Sequence, residues 1–341
     1  FGHLGIIAQT DTTAYGVVKN MPVFYEQLKK QLTFPMAWGN SPVRKFETWR
    51  TQARETLLDC MQNFPPAPAD YAMEVIATEQ RNGYKAQKIL FNVSKWCRIP
   101  AYLLIPDGEG PFPAVVLLHD HGGHYTIGKE KMIRPFGVDK TVLDDSDNWA
   151  ANCYGGQYVG DYLAAHGYVV ISVDALYWGE RGRKEGADGS KYADNAGNFM
   201  MLGRSLSAFM NYEDMYTTDY LATLPEVDAK RIACMGFSMG GYRAWMLSAL
   251  SDKIQVGAAI CWMNTTDCQF SWEYGRERGG FANMLPGIRR YLDYPHIASI
   301  ACPKPMLFLN GEHDKLFPPV GVRDAFAEMH KVWESRSAGD R

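Results

Sequence analysis

The sequence is poor in the features that mark several common protein classes. Positive charge is not in excess: 35 Lys and Arg stand against 38 Asp and Glu, for a net charge of −3. It therefore lacks the basic stripe that displaces counterions from a phosphate backbone, which argues against nucleic-acid binding. No apolar run reaches the roughly 18–20 residues of a membrane-spanning helix. The seven cysteines include no C-x-x-C pair, so neither a zinc ribbon nor a thioredoxin-type motif is supported. Their odd number leaves at least one thiol unpaired. Cys234 and Cys261 sit in apolar runs, where small core residues are expected. Internal repeats and low-complexity tracts are missing too. Histidine is scarce, yet three of the eight fall within six residues, His119-Asp120-His121-Gly122-Gly123-His124.

What is present suits a large globular unit: 341 residues, 46% hydrophobic and 21% charged. Residues 20–64 read as helical, with Phe46, Trp49, Ala53, Leu57 and Cys60 at three-to-four spacing as an amphipathic stripe. The stretch "NFPPAPADY" breaks that pattern as a linker does. From residue 72 the period shortens, and three β-rich runs follow: "YAMEVIATEQ", "YKAQKILFNV" and "IPAYLLIP". Apolar strands then alternate with helices. The strands are "PAVVLLHD", "YVVISVD", "RIACMGF", "KIQVGAAICWM" and "PMLFLNG"; the helices include "GGQYVGDYLAAHG", "MGGYRAWMLSAL" and "GVRDAFAEMHKVWES". This alternation predicts an α/β fold, a mainly parallel sheet with helices on both faces. Residues 1–70 are expected to form an N-terminal segment and helical extension, and residues 71–341 the α/β domain. Residues 124–153, 177–203 and 264–296 read as insertions after strand ends, where such sheets bind ligands. The opening "FGHLGIIAQTDTT" turns from apolar to polar at Ala8-Gln9. Residues 1–9 thus read either as a signal-peptide remnant, implying a secreted or periplasmic protein, or as an ordinary trimmed terminus.

The sharpest motif is Gly236-Phe237-Ser238-Met239-Gly240-Gly241. It follows a strand and opens a helix, as a nucleophile elbow does: small residues allow a tight turn that lifts the serine hydroxyl above the sheet. The helix N-terminus beneath favours developing negative charge. The competing reading is a glycine-rich turn with a passive serine. The histidine cluster approaches a metallohydrolase signature, H-x-H-x-D-H, but Gly123 stands where that signature has Asp. A metal site on His119, His121 and His124 is the alternative to a Gly-rich backbone turn.

On "LHDHGG", "DYLAAHGYVVISVDALYWGERG", "LPEVDAKRIACMGFSMGGYRA" and "PMLFLNGEHDKLFPP", the chain from about residue 72 onward resembles the α/β-hydrolases. More narrowly, it resembles the dienelactone-hydrolase-like and acetyl-xylan-esterase-like bacterial esterases. The resemblance implies hydrolysis of carboxylic esters by a Ser-Asp-His triad without cofactor or metal. It implies Ser238 as nucleophile and Asp314 as acid, with Glu312 a weaker alternative. Met239 and His121 would supply the oxyanion-hole N–H groups, with Gly122 close behind. His119 and His124 would then bond locally. In this fold the base follows the acid, and the only later histidine, His330, lies in an amphipathic helix beside Phe326, Met329 and Trp333. The resemblance therefore carries the expectation of roughly 30–50 further residues supplying a strand, the histidine and a closing helix. Trp178, Glu180, Arg181, Trp262 and Asn264 follow strand ends and are candidates for a substrate cleft. The substrate expected is a small-molecule or carbohydrate ester with a short acyl group. Three alternatives stay open: a serine peptidase-like hydrolase, a metallohydrolase, and a catalytically dead binding protein. Oligomeric state and disulfide pairing do not follow from the sequence.

Overall fold

The computed structural model describes residues 16–18, 20–62, 64–271 and 280–341. The segment read as a signal-peptide remnant, residues 1–9, lies outside the described residues. Eight strands form one sheet: β1 Glu74–Arg81, β2 Tyr84–Ser94, β3 Cys97–Pro106, β4 Phe112–Leu118, β5 Val169–Val173, β6 Val227–Phe237, β7 Ile254–Ile260 and β8 Met306–Leu309. Their spatial order is β8-β7-β6-β4-β5-β3-β2-β1. Strands β1, β2, β3 and β5 pair antiparallel in turn. The other four ladders, from β5 to β8, are parallel. This is the mainly parallel α/β-hydrolase sheet expected from the alternation of apolar strands and helices.

Central strands read as continuous apolar runs because both faces are covered. Val116 and Leu118 of β4 pack with Tyr220, Leu221, Ala244 and Leu247 on one face. Val115 and Leu117 pack with Met132, Ile133 and Ala164 on the other. The helices on the first face are α5, Leu206–Leu221, and α6, Met239–Leu250; α3, Val159–Ala165, lies on the second. Gly167, with φ 87°, follows α3 in the left-handed conformation that ends helices.

Residues 20–64 are less helical than their composition suggests. The helix of the stripe is α1, Phe46–Met61, preceded by a short helical turn, Tyr25–Lys29. Pro35, Gly39 and Pro42 lie between them and stop a continuous helix. On α1 the expected stripe holds for Phe46, Trp49, Ala53 and Leu57, all buried, while Cys60 is half-buried. They pack in one core with Trp245, Met246 and Ala249 of α6 and with Trp333 of α7, Pro319–Glu334. Two further helices, α2 Lys140–Cys153 and α4 Gly189–Met201, occupy segments read as insertions after strand ends. The described cysteines are all free thiols. Cys234 is buried, which pushes its thiol up to about 12. Cys261, expected in the core, is instead half-buried just past β7, with a left-handed φ of 56°. No helix among the described residues is long and apolar enough to cross a membrane.

Candidate active site

Ser238 stands between the last residue of β6 and the first of α6, with φ 55° and ψ −119°. A residue with a side chain rarely occupies this region, and the surrounding contacts hold it there. Its N–H donates to the Ile260 carbonyl at 2.8 Å. The motif's glycines are fixed by close approach. A Cβ on Gly236 would lie 2.2 Å from the Gly240 carbonyl, one on Gly240 would lie 1.8 Å from the Leu118 carbonyl, and one on Gly241 would lie 2.6 Å from the Ile260 carbonyl. The elbow is thereby pressed against the ends of β4 and β7. The Met239 N–H belongs to the first turn of α6, whose donors a helix leaves unbonded, and it makes no hydrogen bond among the described residues.

The turn after β4 lies beside the elbow, since Leu118 pairs with Gly236. Gly122 and Gly123 have φ of 58° and 65°. A Cβ on Gly122 would meet the Trp149 ring at 2.4 Å. The three histidines of this turn take separate roles. His119 is fully buried, and its Nε2 accepts the Ala175 N–H at 3.0 Å. Nδ1 must then carry the proton, which it donates to the Asp120 carbonyl at 2.8 Å. Burial, with the Arg243 and Lys131 cations nearby, holds this imidazole well below its ordinary pKa, hence neutral. His124 pairs with Asp145 at 2.7 Å and stacks on Trp149. The His121 Nδ1 accepts from the Gly123 N–H at 3.0 Å. The His124 ring thus bonds to its own loop and helix, whereas His119 bonds both its neighbour Asp120 and the distant Ala175 after β5.

Beneath this turn lie buried charges of the 124–153 segment, read from the sequence as an insertion after a strand end. Lys129 and Lys131 are completely buried. The Lys129 ammonium sits 2.6 Å from Glu130, 2.8 Å from Asp174 and 2.7 Å from Glu180. Burial opposes its charge, but Asp174, Glu130 and Glu180 outweigh that and raise its pKa. Burial pushes the Asp174 carboxyl up to about 6 against the pull of Lys129. Among the described residues these three carboxylates are the only group spaced to hold a metal ion, and the ammonium occupies its centre. Lys131 donates toward the carbonyls of Asp120, His121 and His124 at 3.1, 3.3 and 3.0 Å. Burial lowers its pKa, an effect that Asp120 partly offsets. The available signal was local: "GKEK" runs straight into Met132 and Ile133, both buried in the core.

Four residues expected to line a cleft do other work. Trp178 is fully buried, and its Nε1 donates to the His121 carbonyl at 3.3 Å. Glu180 belongs to the Lys129 cluster, and Arg181 forms a two-pronged pair with Glu213 at 2.6 and 2.7 Å. Asn264 is buried and accepts the Thr265 N–H. Trp262 does face the site. It lines a cavity of about 630 Å³ that Ser238, Met239, His121 and Gly122 share. Tyr125, Tyr192 and Phe281 add aromatic walls that the sequence did not single out, and Leu316 and Phe317 contribute from the turn after β8.

Asp314 begins that turn. Its Oδ1 accepts the N–H groups of Leu316 at 2.7 Å and Phe317 at 3.2 Å. Its Oδ2 has no partner among the described residues. Glu312 and His313 are exposed. His330 is 57% exposed and pairs with Glu334 at 3.1 Å on its own helix. His296 bonds Glu328 and the Asp293 N–H, and His166 bonds the Tyr162 carbonyl. Among the described residues, the Ser238 hydroxyl makes no hydrogen bond to a histidine.

Comparison with known proteins agrees with this architecture. Residues 8–331 match the Abhydrolase family. YtaP of Bacillus subtilis (strain 168), named as a hydrolase, is 27% identical over 292 residues, 85% of this chain and 90% of that protein. A Bacteroides fragilis NCTC 9343 structure, named as an acetyl xylan esterase, superposes with a TM-score of 0.71 at 21% identity, covering 93% of this chain and 80% of the other. A glucuronoyl esterase from Solibacter usitatus gives a TM-score of 0.60 at 16% identity, over 88% and 84%. At these identities the two structures speak for the fold.

Proposed function

Because the chain belongs to the Abhydrolase family, we propose that it is a serine hydrolase of carboxylic esters that works through an acyl-enzyme. The observation that carries this reading is Ser238, held at a left-handed φ of 55° on top of the sheet and opening into the 630 Å³ cavity. In this reading Ser238 attacks the ester carbonyl. The N–H groups of Met239 and of His121 or Gly122 receive the oxyanion; its collapse breaks the bond to the alcohol, which leaves with the proton given up by the serine, and water then hydrolyses the acyl-serine to release the acid and restore the hydroxyl. Asp314 serves as the acid: one carboxylate oxygen is fixed by its own turn and the other is left for an imidazole N–H. Aromatic walls suit a sugar or aryl ester with a short acyl group, in keeping with the esterase names of the structural relatives. No step calls for a metal or cofactor.

The test is labelling with a fluorophosphonate probe and hydrolysis of p-nitrophenyl acetate. Ser238 should be the labelled residue. Ser238→Ala should abolish labelling and lower kcat/KM by roughly 10⁴-fold or more. Labelling that survives the substitution would overturn the assignment. A second reading, a ligand-binding protein on the same scaffold, is favoured by one observation: Ser238 has no hydrogen-bonded imidazole among the described residues. It predicts saturable binding of esters to the wild-type protein with neither labelling nor turnover.

A further inference from the structure

We propose that Lys131 is a positioning residue that aims and polarises the backbone donors of the oxyanion site; the proposal rests on the serine-hydrolase reading above. The Lys131 side chain is completely buried. Its Nζ lies 3.1 Å from the Asp120 carbonyl, 3.3 Å from the His121 carbonyl and 3.0 Å from the His124 carbonyl, and 3.4 Å from Asp120 Oδ1. One ammonium therefore gathers three carbonyls of a five-residue turn.

The consequence follows from peptide geometry. A trans peptide sends its C=O and N–H in opposite directions. The Asp120 carbonyl shares a peptide plane with the His121 N–H, and the His121 carbonyl shares one with the Gly122 N–H. Drawing both carbonyls toward Lys131 turns both N–H groups away from it. His121 and Gly122 line the cavity with Ser238, whereas Lys131 does not. The N–H groups are thus turned toward the cavity side. Each carbonyl is also held from a second direction, Asp120 by His119 Nδ1 at 2.8 Å and His121 by Trp178 Nε1 at 3.3 Å. Hydrogen bonds to a carbonyl also polarise the amide and make its N–H a stronger donor.

The ammonium is itself fixed. The Asp120 carboxylate beside it is buried and accepts from Trp149 Nε1 at 3.1 Å and the Tyr154 hydroxyl at 2.8 Å. The Trp149 ring lies 4.8 Å from Nζ. Residues of and just after α2 thereby fix the lysine, and the lysine fixes the turn. Donors held in place before the reaction begins are what make an oxyanion site effective.

Lys131→Met keeps the stem and removes the ammonium. With p-nitrophenyl acetate, kcat should fall by about 10–100-fold, less than the roughly 10²–10³ expected for losing a donor outright. KM should change by less than about threefold, because the interaction strengthens in the transition state. Affinity for a boronic acid that forms a tetrahedral adduct on Ser238 should fall in parallel with kcat. A lysine that merely staples the loop would lower the melting temperature and leave kcat per folded molecule unchanged. A kcat within twofold of wild type in folded Lys131→Met would overturn the proposal. If that variant does not fold, Lys131→Gln, which retains two donors, carries the same test with a smaller loss and the same split between kcat and KM. Fluorophosphonate labelling separates the two levels. An unlabelled wild-type Ser238 sinks the hydrolase reading and this proposal with it. Labelling at equal rates in wild type and the Lys131 variant sinks the role of Lys131 alone.

Discussion

At the scale of single residues, the elbow is a packing constraint before it is a chemical one. Gly240 lies where a methyl group would sit 1.8 Å from the Leu118 carbonyl, a backbone atom of a central strand. Gly197 in α4 has nothing within 4 Å of the same added carbon. Opposite outcomes are therefore expected from the same substitution. Gly197→Ala should stabilise by roughly 0.5–1 kcal/mol, the usual gain of Ala over Gly within a helix. Gly240→Ala should cost about 3 kcal/mol or more, at or beyond the usual range for overpacking, because neither the strand nor the helix can yield. Thermal melting of both variants checks the pair. Equal shifts would mean that the elbow is looser than its contacts imply. The buried lysines teach the complementary lesson. Lys129 and Lys131 are invisible to hydrophobic patterning, since their burial depends on carboxylates and carbonyls supplied by distant strand ends.

At the scale of elements, α1 is joined to the hydrolase core and does not stand apart from it. Trp49 is 1% exposed and packs in the same cluster as Trp245 and Met246 of α6, with its Nε1 donating to the Met36 carbonyl at 2.8 Å. Trp49→Ala is expected to cost roughly 3–5 kcal/mol. At about 2–4 °C per kcal/mol for a domain of about 150–250 residues, that should lower the melting temperature by roughly 6–20 °C. An unchanged melting temperature would show that the extension melts independently. A weaker link is pH-dependent. Arg54 grips Asp252 with two bonds, at 2.9 and 2.8 Å, and its hydrogen bond holds the Asp252 carboxyl below the ordinary 3.8. This contribution is present above pH 3.8 and is lost as pH falls through the depressed value. Asp252 is 64% exposed, so solvent screening keeps it within about 1 kcal/mol. Arg54→Met should therefore lower the melting temperature slightly more at pH 7 than well below pH 3.8, where only the Arg54 Nε bond to the Ala249 carbonyl, at 2.9 Å, is still lost. What was legible in the sequence follows from periodicity. The stripe of α1 and the apolar runs of β4 to β7 repeat as their elements require. Helices α2 and α4 each bury only two residues, Ser146 and Ala150 in one and Tyr192 and Ala196 in the other, so no long apolar run set them apart from the polar segments around them. The elbow at Ser238 and the turn residue Asp314 were read from local motifs. The aromatic walls were missed because the chain gathers them from separate loops.

At the scale of the whole molecule, the cavity is a product of topology. Parallel strands β4 to β8 bring their carboxyl ends to one rim, where ligands bind in such sheets. After β4 come His121 and Tyr125, after β5 Tyr192, after β6 Ser238, after β7 Trp262 and Phe281, and after β8 Leu316. Five separate connections closing on 630 Å³ make a pocket, within the roughly 300–1,000 Å³ that holds one small molecule. A polypeptide substrate would need an extended groove or a free strand edge beside Ser238. Ser238 instead directly follows β6, which has β4 on one side and β7 on the other. The expected order of substrates follows. An acetyl ester of an aryl or sugar alcohol should be cleaved with a kcat/KM at least about 10²-fold above that for a peptide p-nitroanilide, a gap of roughly 2.7 kcal/mol in transition-state binding. Leu316 offers a check on which wall the ester touches, because it lines the pocket yet is 55% exposed and so is not needed for the core. Leu316→Ala should leave the melting temperature within about 1 °C, as exposed substitutions do. It should raise KM for an aryl acetate by about 3–10-fold, the worth of partly burying one aliphatic side chain against the ring. Steady-state kinetics on the acetate and the anilide with both proteins decide the matter, and equal or better turnover of the anilide would show that the pocket opens into a peptide groove.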